Sequence, residues 1–380
     1  MSRRKDIVVL GAGRIGATIA LDLDREHNVL VADTNATLLQ RLNAKGINIA
    51  VLDVTNTEAL VALVSRANLV VNALPGFLGF EVLRTLIEAG KNVVDISFFP
   101  EDPFSLDELA KKSGATAVIQ CGVAPGLNNI ICGHHATAVD VVSFECWVGG
   151  LPKNPVPPFN YKAPYSPADV IEMYTRPARI LENGKLVVKE ALSGLELIDF
   201  PGVGTLEAFF TDGLSTLTET MSIPDMMEKT LRYPGHADFM RMFRQAGFFR
   251  TDQMVTNRLP SGSSLRDVTS ELLFPEWQLG DDESEFTVMR VRVVHTSGLE
   301  SVYDIYDERD PVTGFSSMSR LTGYTCTAVC NLMLEGKIAA AGLSGIVAPE
   351  FVGANEDNFQ AIGNHLESRG IKITVSNKNS

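Results

Sequence analysis

A chain of 380 residues is longer than a single hydrophobic core usually grows, so two domains are expected. Its 45% hydrophobic and 21% charged content is that of a globular protein, and a net charge of -13 argues against nucleic acid as a partner, because phosphate backbones are held chiefly by Lys and Arg. No apolar run approaches the roughly 18 residues that cross a bilayer, and five cysteines without a CxxC spacing fit reduced thiols, so a soluble, cytoplasmic protein with no membrane partner is expected.

Ser2-Arg3-Arg4-Lys5 leads into Ile7 to Leu10, too short for the core of a signal peptide and read as a strand. Gly11-Ala12-Gly13-Arg14-Ile15-Gly16 follows, and a second apolar run, Val29 to Ala32, ends at Asp33. This is the layout of a dinucleotide-binding βαβ unit. Gly11 permits the tight turn, Gly13 lets backbone N–H groups approach a pyrophosphate, and Gly16 lets the helix pack on the sheet. Arg14 and Ile15 open that helix, whose positive end favours phosphate. Asp33 stands 20 positions after Gly13, where a carboxylate accepts hydrogen bonds from the adenosine ribose and repels a 2′-phosphate, so the expected cofactor is NAD.

Further short apolar runs, Asn48 to Val51, Leu69 to Asn72, Asn92 to Asp95 and Thr116 to Ile119, alternate with stretches of helical spacing such as Thr57 to Ala67 and Phe77 to Ala89. The alternation predicts an α/β fold with a doubly wound parallel sheet. Asn72, Ala73, Leu74 and Pro75 end the fourth strand on the ligand-binding edge and are expected on the nicotinamide side; Asp53 completes the expected cofactor contacts.

The pattern then changes. Val141 to Gly150 reads as a strand, and Leu151 to Pro158 as a Pro-rich loop that cannot be a helix interior or a central strand. Gly194 to Phe200, Leu206 to Thr211, Thr287 to Thr296 and Ser301 to Tyr306 are further strands with few helices between them, predicting a separate α+β domain with a mixed or antiparallel sheet. Ser319 to Ala341 returns to helix and is expected to dock on the first domain, and Ser376 to Ser380 reads as a disordered polar tail. The domains are expected at 1–124, 125–318 and 319–380.

A second Gly-rich turn, Gln120-Cys121-Gly122-Val123-Ala124-Pro125-Gly126-Leu127-Asn128-Asn129, together with Val94-Asp95-Ile96-Ser97 and Leu231-Arg232-Tyr233-Pro234-Gly235-His236, resembles the saccharopine dehydrogenase-like family. Trp147 to Pro152, Pro157 to Tyr161 and Gly204 to Phe209 are most similar to its lysine 6-dehydrogenase branch. The resemblance implies a Rossmann domain, an inserted substrate and dimerisation domain, a C-terminal return, and an active site in the interdomain cleft. A homodimer or higher homo-oligomer acting on a small amino acid or amine is therefore expected.

Oxidising an amine by hydride transfer needs an unprotonated nitrogen and hence a base. Asp95, at the ligand-binding end of the fifth strand, is the first candidate, against the alternative that it caps the next turn. Cys121, before a helix N-terminus, is the second, as a thiolate or polar contact, unless it is a buried core residue. Arg232 is the candidate anchor for a substrate carboxylate, which arginine grips bidentately. His236 and Tyr161 accompany it, and Thr211, Asp212 and Ser215 are candidates for the substrate α-amino group. Cys132, His134 and His135 lack a fourth ligand at a recognisable spacing, so no metal is expected. Two alternatives accompany the amine dehydrogenase: an opine-type reductase joining an amine to a carbonyl, and a non-catalytic NAD sensor.

Overall fold

The computed structural model describes residues 4–138, 140–165, 167–252, 263–280 and 283–379. They divide into two units, residues 1–140 with 318–372, and residues 141–317 with 373–380.

In the first unit, β1 (Asp6–Leu10), β2 (Asn28–Asp33), β3 (Asn48–Val51), β4 (Leu69–Asn72), β5 (Val93–Asp95) and β6 (Thr116–Val118) join a strand at Gly345–Val347 in a seven-stranded sheet. Its order is Gly345–Val347, β6, β5, β4, β1, β2, β3, and every pairing is parallel. The chain builds outward from β1 in one direction through β3 and in the other from β4, so the switch point lies between β1 and β4. Core residues Val8, Leu10, Val70, Leu83, Val93 and Ala117 pack the helix Gly76–Glu88 against the sheet. Asn35 and Asn56 start the next two helices by accepting backbone N–H groups that would otherwise lack partners.

One expected boundary differs from this division. The helix Leu127–Ala138 belongs to the first unit rather than to the domain expected from residue 125. The cause is close backbone packing: a Cβ on Gly133 would lie 1.9 Å from the Glu350 carbonyl oxygen, and one on Gly353 would lie 2.0 Å from that of Ile130. Residues 318–372 complete the first unit. Asp22 there accepts hydrogen bonds from Thr327 Oγ1 at 2.7 Å and Arg369 Nε at 2.9 Å. Burial alone would raise the Asp22 pKa, but bonds from His365, Arg369 and Thr327 outweigh it and bring it to about 2.

In the second unit, β7 (Val141–Pro152), β8 (Ala178–Glu182), β9 (Lys185–Lys189), β10 (Glu196–Phe200), β11 (Gly204–Phe210), β12 (Asp225–Arg232), β13 (Glu285–His295) and β14 (Leu299–Glu308) form, with Lys372–Asn379, a nine-stranded sheet. The path is β10, β11, β12, β7, β13, β14 and Lys372–Asn379, with the β8–β9 hairpin attached to β12. Only the β12–β7 pairing is parallel among the registers with β7, β10, β11, β13 and β14, so the sheet is mixed. Helices Pro167–Thr175, His236–Gln245 and Leu265–Trp277 cover one face through Ile171, Tyr174, Met240, Leu273 and Trp277.

Two readings are corrected here, and three strands are added. Leu151 and Pro152 end β7 instead of opening a loop; Pro152 is tolerated because it is the last residue, opposite Glu285. The tail through Asn379 is a strand beside β14, with Ser301 Oγ donating to Asn377 Oδ1 at 3.0 Å, whereas Ser380 lies outside the described residues. The strand β12 and the β8–β9 hairpin were absent from the sequence reading.

Candidate functional site

In the first unit, the glycine turn between β1 and the helix Arg14–Leu23 has no space to spare except where a ligand would approach. Gly11 has φ +105, and a Cβ there would lie 2.5 Å from the Ala73 carbonyl oxygen. A Cβ on Gly16 would lie 2.1 Å from the Gly11 carbonyl oxygen, so that position must be glycine for the helix to sit on the turn. At Gly13, by contrast, a Cβ would meet nothing within 4 Å. Gly13 and Arg14 are exposed and Ile15 half-buried, and the helix start, at Gly13, has no side-chain cap. These residues fit a dinucleotide pyrophosphate.

Asp33 ends β2 with one carboxylate oxygen accepting from Ala12 N at 2.6 Å and the other from Asn35 N at 2.7 Å. Thr34, Asn35 and Ala36 follow, so no cation stands beside it in sequence. Asp53 is exposed and accepts from Thr55 N at 2.9 Å and Thr55 Oγ1 at 2.7 Å, which lowers its pKa and gives it a turn-closing task. Ala73 N donates to Leu10 O at 2.9 Å, tying the end of β4 to that of β1, and Pro75 precedes the helix that Gly76 opens; Leu74 is half-buried between them.

Asn72 and Asp95 form one buried pair across β4 and β5. Asn72 Nδ2 donates to Gly79 O at 3.0 Å and to Asp95 Oδ2 at 2.5 Å, and Ser97 N donates to Asp95 Oδ1 at 2.6 Å. Burial pushes the Asp95 pKa up to about 7, since bonds from Ser97 and Asn72 offset only part of the desolvation. Asp95 therefore closes the turn at Ser97 and also titrates near neutrality.

Cys121 departs from the thiolate reading. It is fully buried, and burial, with Cys326 and Asp95 nearby, raises its pKa well above the usual thiol value. The helix dipole does not overcome that desolvation, and the thiol stays protonated.

In the second unit, Arg232 ends β12 and is 2% exposed. Glu228, Thr230 and Arg232 alternate onto one face of that strand, the face shared by Phe209, which pairs with Thr230. The Arg232 guanidinium carbon lies 4.3 Å from the Tyr161 ring centroid and 6.0 Å from that of Tyr174. Arg232 Nε donates to Tyr174 Oη at 3.2 Å, Nη1 to Leu231 O at 2.8 Å, and Nη2 to Tyr161 Oη at 3.4 Å. Glu207, its register partner on β11, instead accepts from Ala237 N at 3.1 Å. Burial works against the charge, but the hydroxyls of Tyr161, Tyr174 and Tyr165 offset it, and the guanidinium holds its proton more tightly than usual.

His236 is buried beside Arg232. Its pKa falls to about 3, first through burial and then through repulsion from the guanidinium. Tyr161 thus touches the expected anchor directly, and His236 reaches it through Tyr174. The other three expected substrate residues lie apart from that cluster's hydrogen bonds. Asp212 accepts from Arg179 Nε at 3.0 Å and Arg179 N at 3.1 Å, so its charge is already answered within the unit. Thr211 Oγ1 pairs with Thr230 Oγ1 at 3.0 Å, and Ser215 is buried with φ +50. Tyr174, Tyr165 and Glu228 were missed from sequence. Burial, then Asp212 nearby, raises the Glu228 pKa to about 8.

Comparison with known proteins gives these features a context. Residues 7–118 match the family described as saccharopine dehydrogenase NADP binding domain, and residues 122–371 match saccharopine dehydrogenase C-terminal domain. The mouse mitochondrial alpha-aminoadipic semialdehyde synthase is 25% identical over 96% of this chain and 47% of its own length. The Schizosaccharomyces pombe saccharopine dehydrogenase [NADP(+), L-glutamate-forming] is 27% identical over 64% of this chain and 58% of its own. The chain thus spans about half the length of the curated relatives it matches. An apo saccharopine dehydrogenase (L-Glu forming) from Saccharomyces cerevisiae shares the fold, with a TM-score of 0.78 at 19% identity over 98% of this chain and all of that one.

Proposed function

Because the chain belongs to the saccharopine dehydrogenase family, an amino-acid oxidoreductase family with a pyridine-nucleotide-binding domain, we propose that it oxidises the side-chain amine of a small amino acid, as a lysine 6-dehydrogenase does. Arg232 is the observation that carries this reading. A buried guanidinium whose neighbours are neutral phenols has lost its hydration without gaining an anion among the described residues, an arrangement that costs several kcal/mol. A substrate carboxylate supplies the missing charge, and arginine receives it through paired hydrogen bonds.

The cofactor proposed is NAD, with Gly11, Gly13 and Gly16 admitting the pyrophosphate and Asp33 meeting the adenosine ribose. This departs from the NADP in the family's description, and its support is the Asp33 carboxylate with no cation in the three residues after it. When bound, the nicotinamide supplies a hydride acceptor. Asp95 is proposed as the group that takes the proton from the substrate ammonium, freeing the nitrogen lone pair; a carboxyl titrating at about 7 is suited to that task.

A second reading is an opine-type reductase, favoured by the names of the relatives, which are saccharopine dehydrogenases. An opine carries further carboxylates, and Arg179 on β8 is engaged by Asp212. That favours the smaller substrate. Incubating the purified protein with NAD or NADP and a panel of amino acids, diamines and saccharopine, while following absorbance of the reduced cofactor, separates the readings. Lysine with NAD is expected to give the strongest signal, saccharopine the strongest if the second reading holds, and no signal with any member removes both.

A further inference from the structure

Three segments far apart in sequence meet at Arg232 in a single file of hydrogen bonds whose direction is fixed at one end. His236 Nδ1 lies 2.9 Å from the Phe159 carbonyl oxygen, which can only accept, so Nδ1 carries the hydrogen. His236 is neutral because it is buried beside a guanidinium, so its Nε2 is a lone pair. Tyr174 Oη, 2.8 Å from Nε2, must therefore donate to it. With its proton committed, the Tyr174 oxygen offers a lone pair to Arg232 Nε at 3.2 Å. Each member leaves the next a single role.

The consequence falls on the guanidinium. Of its five N–H groups, Nε–H is held by Tyr174, one Nη1–H by Leu231 O and one Nη2–H by Tyr161. Among the described residues, one N–H on each terminal nitrogen meets no acceptor in good hydrogen-bond geometry; the Tyr165 hydroxyl, which donates to Met173 Sδ, lies beside them and interacts with the guanidinium as well. With Nε–H taken, what the guanidinium can still offer lies on its two terminal nitrogens. We propose that Tyr174 and His236 are positioning residues that aim Arg232 so that the substrate carboxylate is received end-on, one oxygen on each terminal nitrogen. This rests on the reading of Arg232 as carboxylate anchor.

The test compares L-lysine with cadaverine, the same diamine without the carboxylate, in NAD-dependent turnover. Thermal melting and NADH titration monitor the fold. Tyr174→Phe and His236→Leu should each raise KM for lysine about tenfold, the value of one hydrogen bond to a charged group. kcat should stay within about twofold, and KM for cadaverine should not move. The double variant should be no worse than either single one, since both break the same file. His236→Gln, whose side-chain oxygen can accept from Tyr174, should recover most of the loss. If Tyr174→Phe does not fold, His236→Leu carries the same comparison. Equal losses on lysine and cadaverine, or a fall in kcat at constant KM, overturn the positioning role. Arg232→Lys distinguishes the layers. If it fails to separate lysine from cadaverine, the anchor reading itself is wrong; if it separates them while the other variants do not, the anchor stands and the file is only structural. A protein that turns over no amino acid overturns both.

Discussion

The two candidate regions are built from opposite materials. The nucleotide turn at Gly11 to Gly16 is made of backbone: its work is done by N–H groups, and the side chains matter by their absence. The Arg232 cluster is made of side chains brought from β12, two helices and the segment around Phe159. A backbone site is written in one short stretch of sequence, whereas a side-chain site is written only in how distant stretches pack.

Glycine substitutions test the first half of that contrast most strongly. Gly16→Ala places a methyl 2.1 Å from the Gly11 carbonyl oxygen, and should destabilise the protein by about 3 kcal/mol or more and abolish nucleotide binding. Gly13→Ala meets nothing within 4 Å in the protein, so it should melt at the wild-type temperature and still lose nucleotide affinity, because the space it fills belongs to the ligand. Thermal melts beside NADH titrations read both. Gly13→Ala binding NADH normally would break the assignment of that space.

Next in size is Asp95→Asn, expected to keep NADH binding and lose at least about 100-fold in turnover, the scale of a general base. The wild-type profile of kcat/KM should rise with pH through the region near 7, and the variant should lack that limb. Stability carries an independent sign. The folded pKa of Asp95 is raised from an ordinary 3.8 to about 7, so the folded state binds the extra proton between those values, and this group's contribution is lost as pH rises through 7. Asp22 runs the other way: with a folded pKa of about 2, its contribution is present above 3.8 and lost on acidification toward 2. Melting temperatures from pH 5 to 8 should therefore fall less in Asp95→Asn than in the wild type.

On the side-chain half, Arg232→Lys keeps the charge but not the fork, and should weaken substrate binding roughly 10- to 150-fold with NADH affinity unchanged. Loss of NADH binding would show that Arg232 acts elsewhere. The smallest effect is expected from Asp33→Ala, which should narrow the preference for NAD over NADP by about tenfold, read as the ratio of the two kcat/KM values. Equal use of both cofactors by the unmutated protein removes that prediction.

The same contrast explains what was legible. The first sheet was readable because its inner strands are continuous apolar runs buried on both faces that alternate with helices. In the second unit β12 escaped notice because Glu228, Lys229 and Arg232 interrupt it with charges, although Lys229 is buried against Glu196 at 2.8 Å and Arg232 among tyrosines. Arg232 itself was found through its motif, but Tyr174 was not, since a tyrosine at helical spacing carries no sign of the partner it will meet. Cys121 failed for a related reason: its place before a helix was visible, its burial was not. Polar residues at the chain's end suggested disorder, and pairing with β14 overrode composition.

That last strand bears on how the protein can be made. The chain enters the second unit at residue 141, leaves it after 317, and re-enters it at 373. During vectorial synthesis the first unit waits for residues 318–372, and β14 remains an open sheet edge until Lys372–Asn379 has emerged. An unpaired edge is a template for pairing with another chain. A chain that ends after residue 372 would have its nucleotide unit complete and β14, in place of the polar strand Lys372–Asn379, as the sheet edge, so C-terminal truncation should cost solubility before it costs cofactor binding.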